Sequence, residues 1–180
     1  MANVDASNDK IALYGYWRSG SSWRLRIVLN LKGLEYDYIP VNLLQGKQKE
    51  ADIVAMNPMM QVPILKIDGH TMTESMAICE YIEEVYGGDG LRLLPTGADD
   101  ASAFKRLQIR RLCEVINSGT QPIQNVGVLA RVAEFGGDKK DWAVKTIEKG
   151  LGTFEKLIQE TAGKYCVGDE VTLADTFLVP

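Results

Sequence analysis

The sequence predicts an α/β domain followed by an all-α helical bundle. Short runs of aliphatic, β-branched and aromatic residues, interleaved with a helical pattern, occur before Thr73 and then stop. Beyond the glycine- and proline-rich connector from Gly87 to Asp100, apolar residues recur only at helical spacing. The expected domains are residues 9–87 and 98–180, with the boundary in that connector.

Ile11 to Trp17 is apolar and too short for a buried helix, so it reads as a strand. Trp23 to Lys32 reads as a helix, with Leu25, Val28 and Leu29 on one face and Gly33 as its stop. Ser19, Ser21 and Ser22 then sit where the first backbone N–H groups of that helix point outward without helical partners. Such a terminus favours an anion, and the anion can be a thiolate. Arg18, Arg24 and Arg26 flank the spot; cations in a first turn oppose the helix dipole, so they suit a negatively charged guest. The plain alternative is a serine-capped helix with solvated arginines.

Tyr36 to Leu43 reads as a second strand, which completes a parallel, right-handed β-α-β unit. Gln45 to Ala55 fits an exposed short helix or loop, in which Gln48 either faces the site or is solvated. Ile64–Ile67 and His70–Thr73 form a predicted hairpin around Asp68-Gly69. Pro63 belongs at a strand's first residue, on an edge or in a cis peptide at a bend, and each choice frees the Val62 backbone to bond an extended peptide ligand. Glu74-Ser75 precedes a helix from Met76 to Tyr86, with Ser75 its expected cap. A hydroxyl with N–H donors takes a carboxylate and Glu74 takes an ammonium, so an α-amino acid head group satisfies both. An ordinary cap beside an acid is the alternative.

Phe104, Leu107, Ile109, Leu112, Val115 and Ile116 mark one long helix and Trp142 to Ile158 another, separated by the amide-rich Gln121-Pro122-Ile123-Gln124-Asn125. Thr172 and Asp175 have the spacing of a capping box. The helix they open has only begun at Pro180, so more of the bundle is expected to follow.

The formal charge of −4 argues against a nucleic-acid binder, which needs a basic face. No apolar run spans a bilayer and the first ten residues lack a signal-peptide core, so a cytoplasmic protein is expected, without membrane partners. Cys79, Cys113 and Cys166 read as buried reduced thiols. His70 is the only histidine, which leaves histidine triads and histidine metal sites without support; no metal is expected.

Arg18-Ser19-Gly20-Ser21-Ser22-Trp23-Arg24-Leu25-Arg26 resembles the Arg-Ser-Ser-Cys-Ser-Trp-Arg-Val-Arg opening helix of the zeta-class glutathione transferases, the maleylacetoacetate isomerases. Asn57-Pro58, Gln61-Val62-Pro63, Leu65 to Gly69, Gln121-Pro122, Gln124-Asn125 and Tyr165 to Thr172 are similar too, and the likeness runs from about Leu13 to Pro180. The resemblance implies a thioredoxin-like first domain and a helical second one. It implies glutathione as cofactor, a small-molecule substrate and a homodimer. Ser19 matches the thiol-activating serine, with Ser21 as substitute if the loop is shifted. Val62 matches the contact to the cysteinyl backbone, and Glu74 and Ser75 the γ-glutamyl contacts. Gly20, Ser21, Ser22, Trp23 and Arg24 complete the loop around glutathione, and Gln48, Gln121 and Asn125 match further contacts. Arg18 and Arg24 are expected to hold substrate carboxylates. Gly20-Ser21 departs from the family's Ser-Cys, and Glu74 stands where the family usually has glutamine.

The implied reaction is cis–trans isomerisation of maleylacetoacetate in tyrosine and phenylalanine catabolism, by thiolate addition, rotation and elimination. Two alternatives are a general glutathione transferase acting on electrophiles such as α-haloacids, and a non-catalytic module of the same fold.

Overall fold

A computed structural model describes residues 10–88 and 90–180. The chain divides into two compact units, one running to Leu91 and one from Arg92 to Val179.

The first unit contains β1 (Ala12–Gly15), α1 (Gly20–Leu31), β2 (Asp37–Pro40), α2 (Ala51–Met56), β3 (Ile64–Ile67), β4 (His70–Met72) and α3 (Ser75–Val85). Its sheet has the order β2-β1-β3-β4. β1 runs parallel to β2, with Leu13 beside Tyr38, and antiparallel to β3, with Leu13 beside Leu65. β4 returns along β3 through the Asp68-Gly69 turn, as the hairpin signal predicts. The parallel pair needs a crossover, and α1 supplies it. Leu13, Leu25, Val28, Leu29, Leu65, Ile78 and Ile82 are fully or almost fully buried and form the core that fixes α1 and α3.

The boundaries differ from expectation at three places that matter for the site. β1 stops at Gly15, because the chain turns at Tyr16, whose carbonyl accepts from the Ser19 N–H at 2.9 Å. α1 therefore opens at Gly20, three residues before Trp23. It ends where Gly33, at φ +65°, lets the Leu34 N–H reach back to the Leu29 carbonyl at 3.0 Å. α3 includes Ser75 as its first residue, so the capping position falls to Glu74. The stretch from Gln45 to Ala55 holds 3₁₀ turns at Leu43–Gln45 and Lys47–Lys49 before α2. Val62–Pro63 is a cis peptide, one of the three arrangements the sequence allowed.

The second unit contains α4 (Asp100–Asn117), α5 (Val126–Glu134), α6 (Lys139–Ile158) and α7 (Leu173–Leu178). α4 packs on α6 and α7, and α5 packs on α6. Asp99 and Asp138 cap α4 and α6 by accepting from the first-turn N–H groups of Ser102 and of Lys140 and Asp141. The capping box of α7 is present: Asp175 Oδ2 accepts from the Thr172 N–H at 2.8 Å. Its other oxygen accepts from the Cys166 N–H at 2.9 Å, which ties the preceding loop to the helix. α5 was absent from the sequence reading; none of its residues is buried, so its apolar positions left no core signal. All three cysteines are buried and none is in a disulfide. Among the described residues no helix is long and apolar enough to cross a membrane.

Candidate active site

The site is built on the first turns of two helices in the first unit. Ser19 has extended backbone (φ −78°, ψ 115°) and caps α1, its Oγ accepting from the Ser22 N–H at 3.2 Å. Its carbonyl takes the Trp23 N–H at 2.8 Å. The helix has no carbonyl to offer the Gly20 N–H, which heads its positive end with Ser21 beside it on the first turn. Among the described residues Ser19 Oγ donates to nothing, and a hydroxyl whose lone pair is taken by a backbone N–H still has its proton to give. Ser22 is buried and receives the Tyr16 N–H at 3.4 Å, which braces the loop from within. A Cβ on Gly15 would lie 3.0 Å from the Tyr38 ring and 3.2 Å from Ser22, so a glycine here lets α1 approach the sheet.

The three arginines part ways. Arg18 is exposed beside Trp17, its Cζ 5.6 Å from that ring. Arg26 donates to the Trp17 carbonyl at 3.2 Å and lies over the Trp23 and Tyr38 rings, 5.9 Å from each. Arg24, expected to face a substrate carboxylate, is turned inward instead. Its side chain has no exposed surface, and Nη1 donates to Ser75 Oγ at 2.6 Å. Leu25, Val28 and Leu29 set the buried face of α1, and Arg24 precedes Leu25 and is four residues before Val28, so the helix carries it into the interior.

Ser75 is buried at the start of α3, and the bond it receives from Arg24 leaves its own proton to donate. Glu74 beside it is exposed and has no partner among the described residues. Its φ of +66° lies in a region that non-glycine residues rarely adopt. Val62 packs its side chain on Val41, Ile53 and Ile64, while its N–H and carbonyl bond nothing among the described residues. Gln48 lies in the second 3₁₀ turn with Oε1 buried and no partner found for it. Trp23 is exposed on the first turn of α1. Gln121 and Asn125 belong to the second unit, flanking the 3₁₀ turn Pro122–Gln124, and Asn125 caps α5 without a side-chain bond.

The Arg24–Ser75 bond has no local signal in the sequence, nor does a buried ion pair between Lys32, the C-cap of α1, and Glu83 on α3 (2.5 Å). Each joins residues 51 positions apart, and only the interior placement of two charges inside apolar helix faces hinted at them. Two of the thiols are unreactive by environment. Burial pushes Cys79 up to about 12, against the lowering field of Arg24, and burial with the Asp175 carboxylate pushes Cys166 to about 12. The cleft lined by Lys10, Asn30, Gly33, Glu35 and Tyr38, about 880 Å³, lies at the far end of α1 from Ser19 and includes neither Ser19 nor Ser75.

A four-stranded sheet, a serine-capped first helix and a helical second unit define a glutathione transferase, and family models agree. Residues 9–84 match the glutathione S-transferase N-terminal domain and residues 132–180 its C-terminal domain. The chain is 47% identical over 173 residues to the maleylacetoacetate isomerase of Mus musculus, covering 95% of this chain and 76% of that one. It is 41% identical to a zeta-class glutathione S-transferase of Euphorbia esula, across all of this chain and 78% of the relative. Among solved structures, a maleylacetoacetate isomerase from Anaeromyxobacter dehalogenans with glutathione in its active site matches at TM-score 0.80 and 43% identity, covering 95% of this chain and 78% of that one. A bacterial zeta-class maleylpyruvate isomerase in its holo form matches at TM-score 0.84 and 36% identity, covering 94% and 79%. The chain belongs to the zeta class of the glutathione S-transferase family.

Proposed function

We propose that the chain binds glutathione on its first unit and uses it to isomerise maleylacetoacetate to fumarylacetoacetate. The observation that carries this reading is the pair of serines, Ser19 and Ser75, each with its lone pair engaged by the protein and its proton uncommitted at a helix start. The other free groups suit the same tripeptide. The unpaired Val62 backbone suits a cysteinyl amide, and the exposed carboxylate of Glu74 suits the γ-glutamyl ammonium. Backbone strain at Glu74, of order 1–3 kcal/mol, is what a site pays to aim a side chain at a ligand. Gln48, Gln121 and Asn125 enter the proposal through the family likeness alone.

Bound glutathione supplies a thiolate that adds to the conjugated double bond and leaves again after the bond has turned. The protein's part is electrostatic. Ser19 donates its hydroxyl proton to the sulfur anion, and the N–H groups of Gly20 and Ser21 add the positive end of α1, so the thiol ionises more readily than in water. Ser21 is on the first turn and serves as the second hydroxyl of the loop. Arg18, exposed beside this loop, offers a guanidinium to a substrate carboxylate. A homodimer in the cytoplasm is the expected setting, by the habit of the family.

Replacing Ser19 with Ala tests the reading. Turnover of maleylacetoacetate should fall by roughly 10²-fold, the usual loss on removing one preorganised donor, and the ultraviolet absorbance of the bound thiolate should titrate at a higher pH. Unchanged turnover sinks the role of Ser19. Parallel assays with chlorodinitrobenzene and dichloroacetate separate an isomerase from a general transferase, and failure to retain the chain on immobilised glutathione would leave only a non-catalytic module.

A further inference from the structure

We propose that Arg24 is a positioning residue, which acts on the ligand through Ser75 and locks the start of α1 to the start of α3. The inference rests on the glutathione reading of the site. Arg24 occupies an expensive place: a fully buried cation close to the positive end of α1. Helix stability does not call for a cation there, on a buried face it shares with Ser22, Leu25, Val28 and Leu29. What the position provides is reach. Arg24 is five residues beyond the cap Ser19, and its Nη1 meets the hydroxyl of the first residue of α3 at 2.6 Å, the short distance of a charge-assisted bond. The same guanidinium lowers the Cys79 thiol against burial, so its field is felt inside α3 as well as at Ser75.

Two consequences follow from hydroxyl chemistry. A serine oxygen that accepts from a guanidinium is anchored to that donor, and its proton must point away from it, into one of the two positions that remain. The bond also polarises the O–H, so Ser75 donates more strongly to an anion than a serine among neutral partners would. The carboxylate of the γ-glutamyl group is the anion in the proposed complex. Arg24 thereby sets the separation between the thiol end of the site, on α1, and the carboxylate end, on α3. It touches neither the sulfur nor the substrate.

Calorimetric titration of the full 180-residue chain with two ligands tests this: glutathione, and an analogue whose γ-glutamyl α-carboxylate is replaced by hydrogen. The unaltered protein should prefer glutathione by roughly tenfold or more, the worth of a hydrogen bond to a charged group. Ser75→Ala and Arg24→Met should each abolish most of that preference while leaving affinity for the analogue within about twofold, and the double variant should be no worse than Ser75→Ala alone. Arg24→Lys keeps the charge but not the fork, and should cut the preference several-fold; it carries the test should Arg24→Met not fold. If the arginine variants retain the full preference, or lose both ligands equally as a merely structural defect would, the inference is overturned. A wild-type chain that takes neither ligand overturns the glutathione reading first, and this one with it.

Discussion

At Glu74 a single residue carries the backbone strain of the proposed site. Its carboxylate is exposed and its backbone is held at φ +66°, where glycine is the natural occupant. Glu74→Gly should therefore raise the unfolding midpoint, by an amount equivalent to about 1 kcal/mol, and weaken glutathione binding at least tenfold. A variant that binds as well as the parent would show that the strain serves the fold and not the ligand. Other residues were legible from sequence to differing degrees. A serine cap was readable because capping is local, a matter of three residues, and among Ser19, Ser21 and Ser22 the structure gives that place to Ser19, whose Oγ takes the Ser22 N–H. Arg24 was misread because its sequence neighbours are Trp23 and Leu25, one exposed and one buried, and only the rotation of α1 against the sheet decides which way the residue between them points.

Elements are held by devices of two kinds. At the C-terminal end of α1 the device is the pair between the cap Lys32 and Glu83 of α3, whose side chains are only 2% and 4% exposed. Lys32 Nζ also donates to the Leu91 carbonyl at 2.6 Å. Removing Glu83 takes the carboxylate from a buried ammonium, so Glu83→Leu should cost about 3–5 kcal/mol in denaturant unfolding, whereas Lys32→Met with Glu83→Leu should recover most of that loss. A double variant as unstable as the single would show that the charges are needed in themselves.

In the second unit the devices are helix caps. Side-chain and backbone bonds from Ser102 hold Asp99 below its ordinary 3.8, and the N–H groups of Asp141 and Lys140 do the same for Asp138. A carboxyl lowered in the folded state adds stability that is present above its unfolded pKa and is lost as pH falls through the folded value. The starts of α4 and α6 should thus loosen below pH 3.8, and Asp99→Asn with Asp138→Asn should flatten the acid side of the helical circular-dichroism profile. An acid limb of unaltered slope would place the titrating groups elsewhere.

Across the whole molecule helix starts carry the exposed polar work, as the proposed glutathione contacts in the first unit and as the Asp99 and Asp138 caps in the second. Glutathione at saturating concentration should slow amide hydrogen exchange at Gly20, Ser21 and Val62, the backbone groups assigned to it, and leave the α1–α3 core near Leu29 and Ile82 unchanged. Exchange that slows uniformly through the first unit, with no focus at those amides, would contradict the proposed contacts.

Reading the chain alone was enough to establish a β-α-β unit with a hairpin, a helical second half, the Gly33 stop, the Thr172–Asp175 box and the family itself. All of these depend on periodicity, turn chemistry or ordered motifs over a few residues, and local backbone preferences enforce them. Only the folded molecule decided that α1 opens at Gly20, that Ser75 lies inside α3 and not ahead of it, and that Arg24 serves Ser75 from the interior. Those facts join segments some fifty positions apart, and no local preference encodes such a distance; it emerges when two apolar helix faces are buried on one sheet and carry their polar passengers with them.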